Sequence, residues 1–169
     1  VGGEQLSGSA TLPAGTREIG DLALSLGANR LTGALTLADA LLPEGTVEFN
    51  FPDLAPLGAL ALLDVTGSAR GSARFAIAGS VPSATLDAIV DSFAMGEIEA
   101  GEIRINATAR DYLAASTVAG AVSAGRVISG GAEIRDVSVA LTQDSEWTGF
   151  DGRLAANTVP VTAKGRVRI

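Results

Sequence analysis

The 169-residue chain contains no cysteine and no histidine. Disulfides, Cys/His zinc sites and every histidine-based catalytic triad are therefore excluded. Aromatic residues make up only 4% of the chain and charged residues 18%. Basic residues are also short: 12 Lys plus Arg stand against 19 Asp plus Glu, a net charge of -7. Nucleic acid is a poor partner for such a chain, because binding it rests on neutralising phosphates with a basic surface. The longest apolar run, Leu54 to Val65, is interrupted by Pro56 and Asp64. It falls short of the roughly 20 residues that a bilayer span needs. Nothing resembles a signal peptide, and the first residue is Val1 rather than Met. The expectation is a single fragment, residues 1–169, of a longer repetitive β-sheet domain.

What is present is small and apolar. Hydrophobic residues make up 47% of the chain, but 30 of them are Ala, and 21 further residues are Gly. Disorder needs low hydrophobicity and high charge, so an ordered domain is expected. The dominant period is two. From Val65 the odd positions read Val65, Gly67, Ala69, Gly71, Ala73, Phe75 and Ile77, while the even positions carry Thr66, Ser68, Arg70, Ser72 and Arg74. Such alternation marks a strand with one apolar and one polar face. It returns across most of the chain, with turn signals at Leu12 to Gly15, Pro43 to Gly45, Gly79 to Pro82 and Ser129 to Gly131. About twelve strands of seven to nine residues are expected, in an all-β protein. Pro52 to Leu63, with two prolines and an Ala/Leu-rich middle, suits one short helix near 53–63. Ala84 to Met95 fits both periods: Leu86, Ile89, Val90 and Phe93 have helical spacing, and Leu86, Ala88 and Val90 alternate. Its Val, Ile, Thr and Phe content favours a strand.

A loose internal repeat underlies the alternation. Gly20-Asp21-Leu22-Ala23-Leu24-Ser25-Leu26 matches Gly101-Glu102-Ile103-Arg104-Ile105-Asn106-Ala107 and Arg135-Asp136-Val137-Ser138-Val139-Ala140-Leu141. Each copy places an acidic residue just before an aliphatic triplet at every second position. A second strand type follows each copy, centred on Gly33, Gly120 and Gly152, with looser cousins centred on Gly8 and Gly67. The central glycine falls on the apolar face, where it permits curvature or close backbone approach.

Two fates are open to the apolar faces. Two sheets can pack into a closed sandwich about 10 Å thick, which needs bulky side chains from both. With so many inward Gly and Ala, that core is underfilled. A curved sheet lining a trough for hydrocarbon uses small residues naturally. Exposing lipid tail to water costs about 0.8 kcal/mol per CH₂, so a continuous apolar trough lowers the barrier to lipid movement without chemistry. Carboxylate pairs such as Glu97 with Glu99 and Asp144 with Glu146 read as solubilising charge on turns, and no enzymatic activity is expected. Trp147 reads as a strand-edge packing residue and Tyr112 as a hairpin cap. Lys164, Arg166 and Arg168 read as a solvated basic strip.

The repeats Gly20 to Leu26 and Phe150-Asp151-Gly152-Arg153-Leu154, beside Leu42 to Leu57, resemble the TamB family, the inner-membrane subunit of the bacterial translocation and assembly module. The Asp64 to Ile77 strand and the closing Val159 to Arg168 are similar to its proteobacterial members. The resemblance covers nearly the whole chain. It implies membership of the AsmA-like, bridge-like lipid transfer proteins and a β-taco, an elongated antiparallel sheet folded into a trough. It also implies a periplasmic location as part of an inner-membrane-anchored protein of a Gram-negative bacterium. The implied role is phospholipid movement between inner and outer membranes and support of outer-membrane protein assembly. The implied partners are phospholipid acyl chains and, in the full-length protein, a TamA-like outer-membrane barrel, with no cofactor. On this reading Leu22, Leu24, Leu26, Leu31, Leu35, Phe49, Phe51, Ile103, Ile105, Val118, Val122, Val137, Val139, Leu141, Phe150 and Leu154 line the concave face. Asp21, Glu102, Arg104, Asp136, Asp151 and Arg153 point outward. The alternative is a structural β-solenoid or sandwich segment of a secreted or surface adhesin-like protein, with the same aliphatic row sealed.

Overall fold

The computed structural model describes residues 4–38, 41–113, 117–144, 147–156 and 158–168. Period-two alternation becomes eleven strands: β1 Leu6–Thr11, β2 Glu18–Leu26, β3 Asn29–Leu37, β4 Pro43–Phe51, β5 Val65–Ala78, β6 Val81–Met95, β7 Ile98–Arg110, β8 Thr117–Ser129, β9 Ala132–Asp144, β10 Trp147–Ala156 and β11 Val159–Val167. They form one antiparallel sheet in sequence order, β1 to β11, each strand paired with its chain neighbours. Ten intervals of about 4.8 Å make the sheet roughly 48 Å long across the strands. It stays open, because no β1–β11 ladder closes it. The one α-helix among the described residues is α1, Ala55–Leu60, within the expected stretch. No helix there is long and apolar enough to cross a membrane. The segment 84–95 is strand throughout.

Two sequence expectations need correction. Pro43, Glu44 and Gly45 do not turn; they open β4 opposite Leu37, Thr36 and Leu35. Proline is admissible there as the first residue of a strand, where its missing N–H costs no interior bond. The central strands β5 to β9 run 13 to 15 residues rather than seven to nine. In β6 to β9 the alternation breaks midway, and the break is a bulge rather than an end, while β5 alternates throughout.

The acidic residue of each repeat sits at that break. Asp21, Glu102 and Asp136 have left-handed φ values of 47°, 57° and 51°. A β-bulge carries one extra residue, bends its strand and increases twist. Asp21 is the extra residue of β2 against both β1 and β3. In β6 to β9 the extra residues are Asp91, Glu102, Gly125 and Asp136. The regular pairing on either side sets them opposite one another in a single line across four strands, with register shifts against the flanking β5 and β10. Because a bulge resets the alternation, aliphatic residues on the two sides are spaced i, i+3: Ile19 and Leu22, Val90 and Phe93, Ile134 and Val137. The same face therefore stays apolar along the full strand.

The glycines of the second strand type let neighbouring backbones close in. A Cβ on Gly33, Gly67 or Gly120 would lie 2.4, 2.1 and 2.1 Å from the carbonyl oxygen of Thr46, Ser92 and Asn106, respectively. Gly67 and Gly120 also hold φ of 131° and 145°, a region closed to other residues. Gly152 differs, since its nearest such contact is 3.6 Å. A Cβ on Gly8 would crowd the flexible end of Leu24 and reach the Ala23 carbonyl only at ordinary contact, 3.4 Å.

Two buried polar side chains pin the sheet's ends. Asn29, 2% exposed, donates from Nδ2 to the Asp53 carbonyl at 2.7 Å and accepts from the Asp53 N–H at 3.2 Å. Its amide thereby extends the β3–β4 ladder past Phe51. Thr148, 3% exposed, accepts at 3.0 Å from the Val118 N–H, two strands away. Thr148 shares a face with Phe150 and Gly152, so the sheet bends toward that face here.

Candidate functional site

Direct cross-strand partners share a face, so the ladders define what each face carries. One register row crosses all eleven strands: Gly8, Leu24, Leu31, Phe49, Gly71, Ala88, Ile105, Val122, Val139, Gly152 and Ala163. No polar side chain interrupts it. The next row runs from Leu22 through Gly33, Val47, Ala73, Leu86, Ala107 and Gly120 to Leu141, Phe150 and Gly165. Leu35 and Val118 fall in a third row with Ile19, Gly45, Phe75, Ala84 and Ala109. On the other side of the first row lie Leu26 beside Leu6, Phe51 with Ala69, Val90 and Ile103, Val137 with Ala124, and Leu154 with Val161. All sixteen residues expected on one apolar face are thus brought to one face. Leu86, Ala88 and Val90 join them there. These three are the alternating set of 84–95, and the extra residue at Asp91 keeps Phe93 on the same face.

Among the described residues no second sheet covers this face. Strands contact their ladder neighbours, and beyond those only α1 on β5 and the β8–β10 approach bring elements together to any extent. Leu26 is buried and Leu24 is 42% exposed; the other fourteen of the sixteen are half-buried. Among the described residues the buried apolar set is only Leu26, Val47, Ala88 and Ala124. The accessible surface is 10328 Å², about a third above the ~7,700 Å² that a compact 16.9 kDa protein exposes. Curvature accounts for what burial there is. Ala88 and Ala124 on the aliphatic face are buried, whereas Ala34, Ala76, Ala121 and Ala140 on the opposite face are exposed.

The opposite face is polar in register. Ser25, Arg30, Asn50, Arg70, Ile89, Arg104, Ser123, Ser138, Arg153 and Thr162 form one row. Thr32, Glu48, Ser72, Asp87, Asn106, Ala121, Ala140, Asp151 and Lys164 form the next. Charges answer one another here: Arg70 pairs with Asp91, Lys164 Nζ lies 2.8 Å from Asp151 Oδ2, and Glu133 takes both Arg126 and Arg135. The hydrogen bond from Lys164 holds the Asp151 carboxyl below the usual carboxylate range, against a smaller upward push from burial and aided by Lys164's and Arg153's positive charge. Arg104 and Arg153 point away from the aliphatic rows, as expected, while Asp21, Glu102 and Asp136 occupy the bulges and are exposed.

The singled-out residues find plain places. Trp147 stands on the polar face under the Arg166 guanidinium, 5.1 Å from its ring centre. Lys164 and Arg166 therefore lie on the far side of the sheet from the aliphatic rows. Tyr112 follows β7 and meets Phe75 edge-on at 6.3 Å. Glu97 and Glu99 are exposed at the β6–β7 turn; Glu146 and the Asp144 side chain lie outside the described residues, as do Val1 to Gly3 and Ile169. Among the described residues no group of three acidic side chains is gathered to hold a metal. Comparison with protein-family models, curated proteins and solved structures returned no match to this chain.

Proposed function

We propose that the aliphatic face is an open bed for phospholipid acyl chains and that the chain is a periplasmic segment of a TamB-like, bridge-like lipid transfer protein. In this reading the parent protein is anchored in the inner membrane of a Gram-negative bacterium. It passes phospholipid toward the outer membrane and, with a TamA-like barrel partner, supports outer-membrane protein assembly. The observation that carries the reading is the unbroken row from Leu24 through Phe49, Ile105 and Val139, half-exposed and covered by no second sheet among the described residues. A tail lying along such a row exchanges water for side-chain contact, at about 0.8 kcal/mol per CH₂ covered. Each row position resembles the next, so displacement along the row changes little in energy. The role needs no chemistry, only continuity, and the lack of a second sheet among the described residues favours it over the adhesin-like alternative, which needs a sealed face.

Photocrosslinking from Leu24, Ile105 and Val139, followed by mass spectrometry of the adducts, tests the reading. Lipid adducts at all three, with background yield from Arg104 on the polar face, are expected. Equal yield from Arg104 and the three apolar positions would refute it.

A further inference from the structure

We propose that α1, the turn after it and the β6–β7 turn form a loading lip, through which tails pass from a bilayer of zwitterionic headgroups onto the aliphatic face. The inference rests on the acyl-chain reading of that face. Leu60, Leu62 and Leu63 are 56%, 93% and 53% exposed, and Met95 and Ile98 are 38% and 40% exposed. All five stand at one end of the strands. Val65, just after Leu63, pairs with Met95, which pairs with Ile98.

The lip is continuous with the aliphatic face. Val65, Met95 and Ile98 share that face with Gly67, Phe93 and Ala100 by register. The helix is seated directly on it: Gly58 is buried, and a Cβ there would lie 2.2 Å from Val65 Cγ1. The Leu54 N–H donates to the Gly67 carbonyl at 2.9 Å, fixing the approach to α1 beside β5. Leu62 is held in a left-handed conformation with φ of 57°, which projects a leucine into water at a local backbone cost. An exposed apolar cluster joined to a larger apolar face marks an interaction surface, and hydrocarbon is the occupant that the face behind it accommodates.

Charge narrows the headgroup. The exposed carboxylates of Asp64, next to Leu63, and Glu97, between Met95 and Ile98, flank the lip, and Glu99 lies beside it on the opposite face of β7. The nearest arginine on β8, Arg126, is engaged by Glu133 on the polar face. An anionic bilayer is repelled by these carboxylates, whereas a zwitterionic headgroup offers them its cationic ammonium group.

Transfer of a fluorescent-tailed phospholipid from vesicles separates the two levels of the argument. Donor vesicles are phosphatidylcholine alone, or phosphatidylcholine and phosphatidylglycerol in equal parts. The double variant Leu62→Asn, Leu63→Ser is expected to slow loading about tenfold while leaving the final amount unchanged, because the inner rows are untouched. Phosphatidylglycerol is expected to slow the unaltered chain about tenfold, and Asp64→Asn with Glu97→Gln and Glu99→Gln to remove that difference. Loading at the unaltered rate by the leucine variant, or equal rates from both vesicles, overturns the lip while crosslinking from Ile105 still reports lipid. Absence of lipid at Leu24, Ile105 and Val139 in every arm overturns the acyl-chain reading and the lip with it.

Discussion

Gly120 and Gly152 occupy the same place in the sequence repeat but not in the structure, and substituting each with alanine separates motif from geometry. At Gly120 a methyl group would lie 2.1 Å from the Asn106 carbonyl oxygen and 2.6 Å from Ala107 Cα, both backbone atoms of β7. The φ of 145° adds strain. A non-glycine residue in such a conformation costs about 1–3 kcal/mol. Moving β7 away to ordinary contact weakens the adjoining ladder bonds, each worth about 0.5–1.5 kcal/mol net. Together these make Gly120→Ala about 3–5 kcal/mol destabilising. For a chain of this size, at 2–4 °C per kcal/mol, the melting temperature falls by about 6–20 °C. At Gly152 the nearest contacts are 3.6 Å from the Ala163 carbonyl and 3.9 Å from Val139 Cγ2, so Gly152→Ala stays within about 1 kcal/mol of the parent. Thermal unfolding followed by circular dichroism, with urea titration to fix the free energies, reads both. Coincident melts for the two variants would refute the close-approach argument and return both glycines to the status of an incidental repeat.

Other substitutions test neighbouring parts of the structure. Asn29→Ala removes two hydrogen bonds and strands the Asp53 backbone groups, for an expected loss of about 2–4 kcal/mol in urea unfolding. At the bulge, Glu102→Gly relieves a left-handed residue and is expected to stabilise by up to about 1 kcal/mol, while Glu102→Val costs about 1–3 kcal/mol; the opposite order in a melt would count against the bulge. Lys164→Gln removes the hydrogen bond that lowers the Asp151 carboxyl, so the NMR titration midpoint of Asp151 should rise toward the ordinary value near 3.9. The sign follows from the depressed folded value: the contribution is present above the unfolded pKa and is lost as pH falls through the folded one. A midpoint unchanged by Lys164→Gln would remove that pair from the account.

Fold class and the membership of the apolar face were legible in the sequence, because alternation with period two assigns a face directly. Val137, Val139 and Leu141 need no tertiary information to be placed together. What alternation cannot show is that a strand continues through a bulge. Val90 and Phe93 at i, i+3 imitate helical spacing because Asp91 is inserted between two alternating stretches. The same insertion at Glu102, Gly125 and Asp136 shortened the expected strands. The signal that identifies it was visible as an acidic residue before each aliphatic triplet, yet its meaning lies in φ rather than in side-chain chemistry. Aspartate tolerates the left-handed region better than most residues. Pro43 to Gly45 misled for the converse reason: Gly45 serves close approach within β4, a Cβ there lying 2.3 Å from the Ala34 carbonyl, rather than a turn. The lip at α1 was not legible at all, since Leu62 and Leu63 are indistinguishable in sequence from buried leucines.

The line of bulges also explains how one sheet stays open and curved at once. Strands of 13 to 15 residues span about 45–50 Å, too tall for a simple twisted sheet to shelter one face. Four bulges in register across β6 to β9 bend four adjacent strands at the same height, so the bends add into a crease running across the strands. Such a crease is parallel to the unbroken aliphatic row, and Thr148 shows the bend closing toward the row's face at β8 to β10. Scattered bulges would have warped the sheet without giving it a direction. If the crease sets the trough, deleting Glu102 alone should remove the bend of β7 and not its alternation: Ala100 then stands two residues before Ile103 and stays on the aliphatic face. Cysteine accessibility at position 100 reads this: a label pattern matching the parent chain is expected, and an inverted pattern would show that Glu102 is not the extra residue of β7.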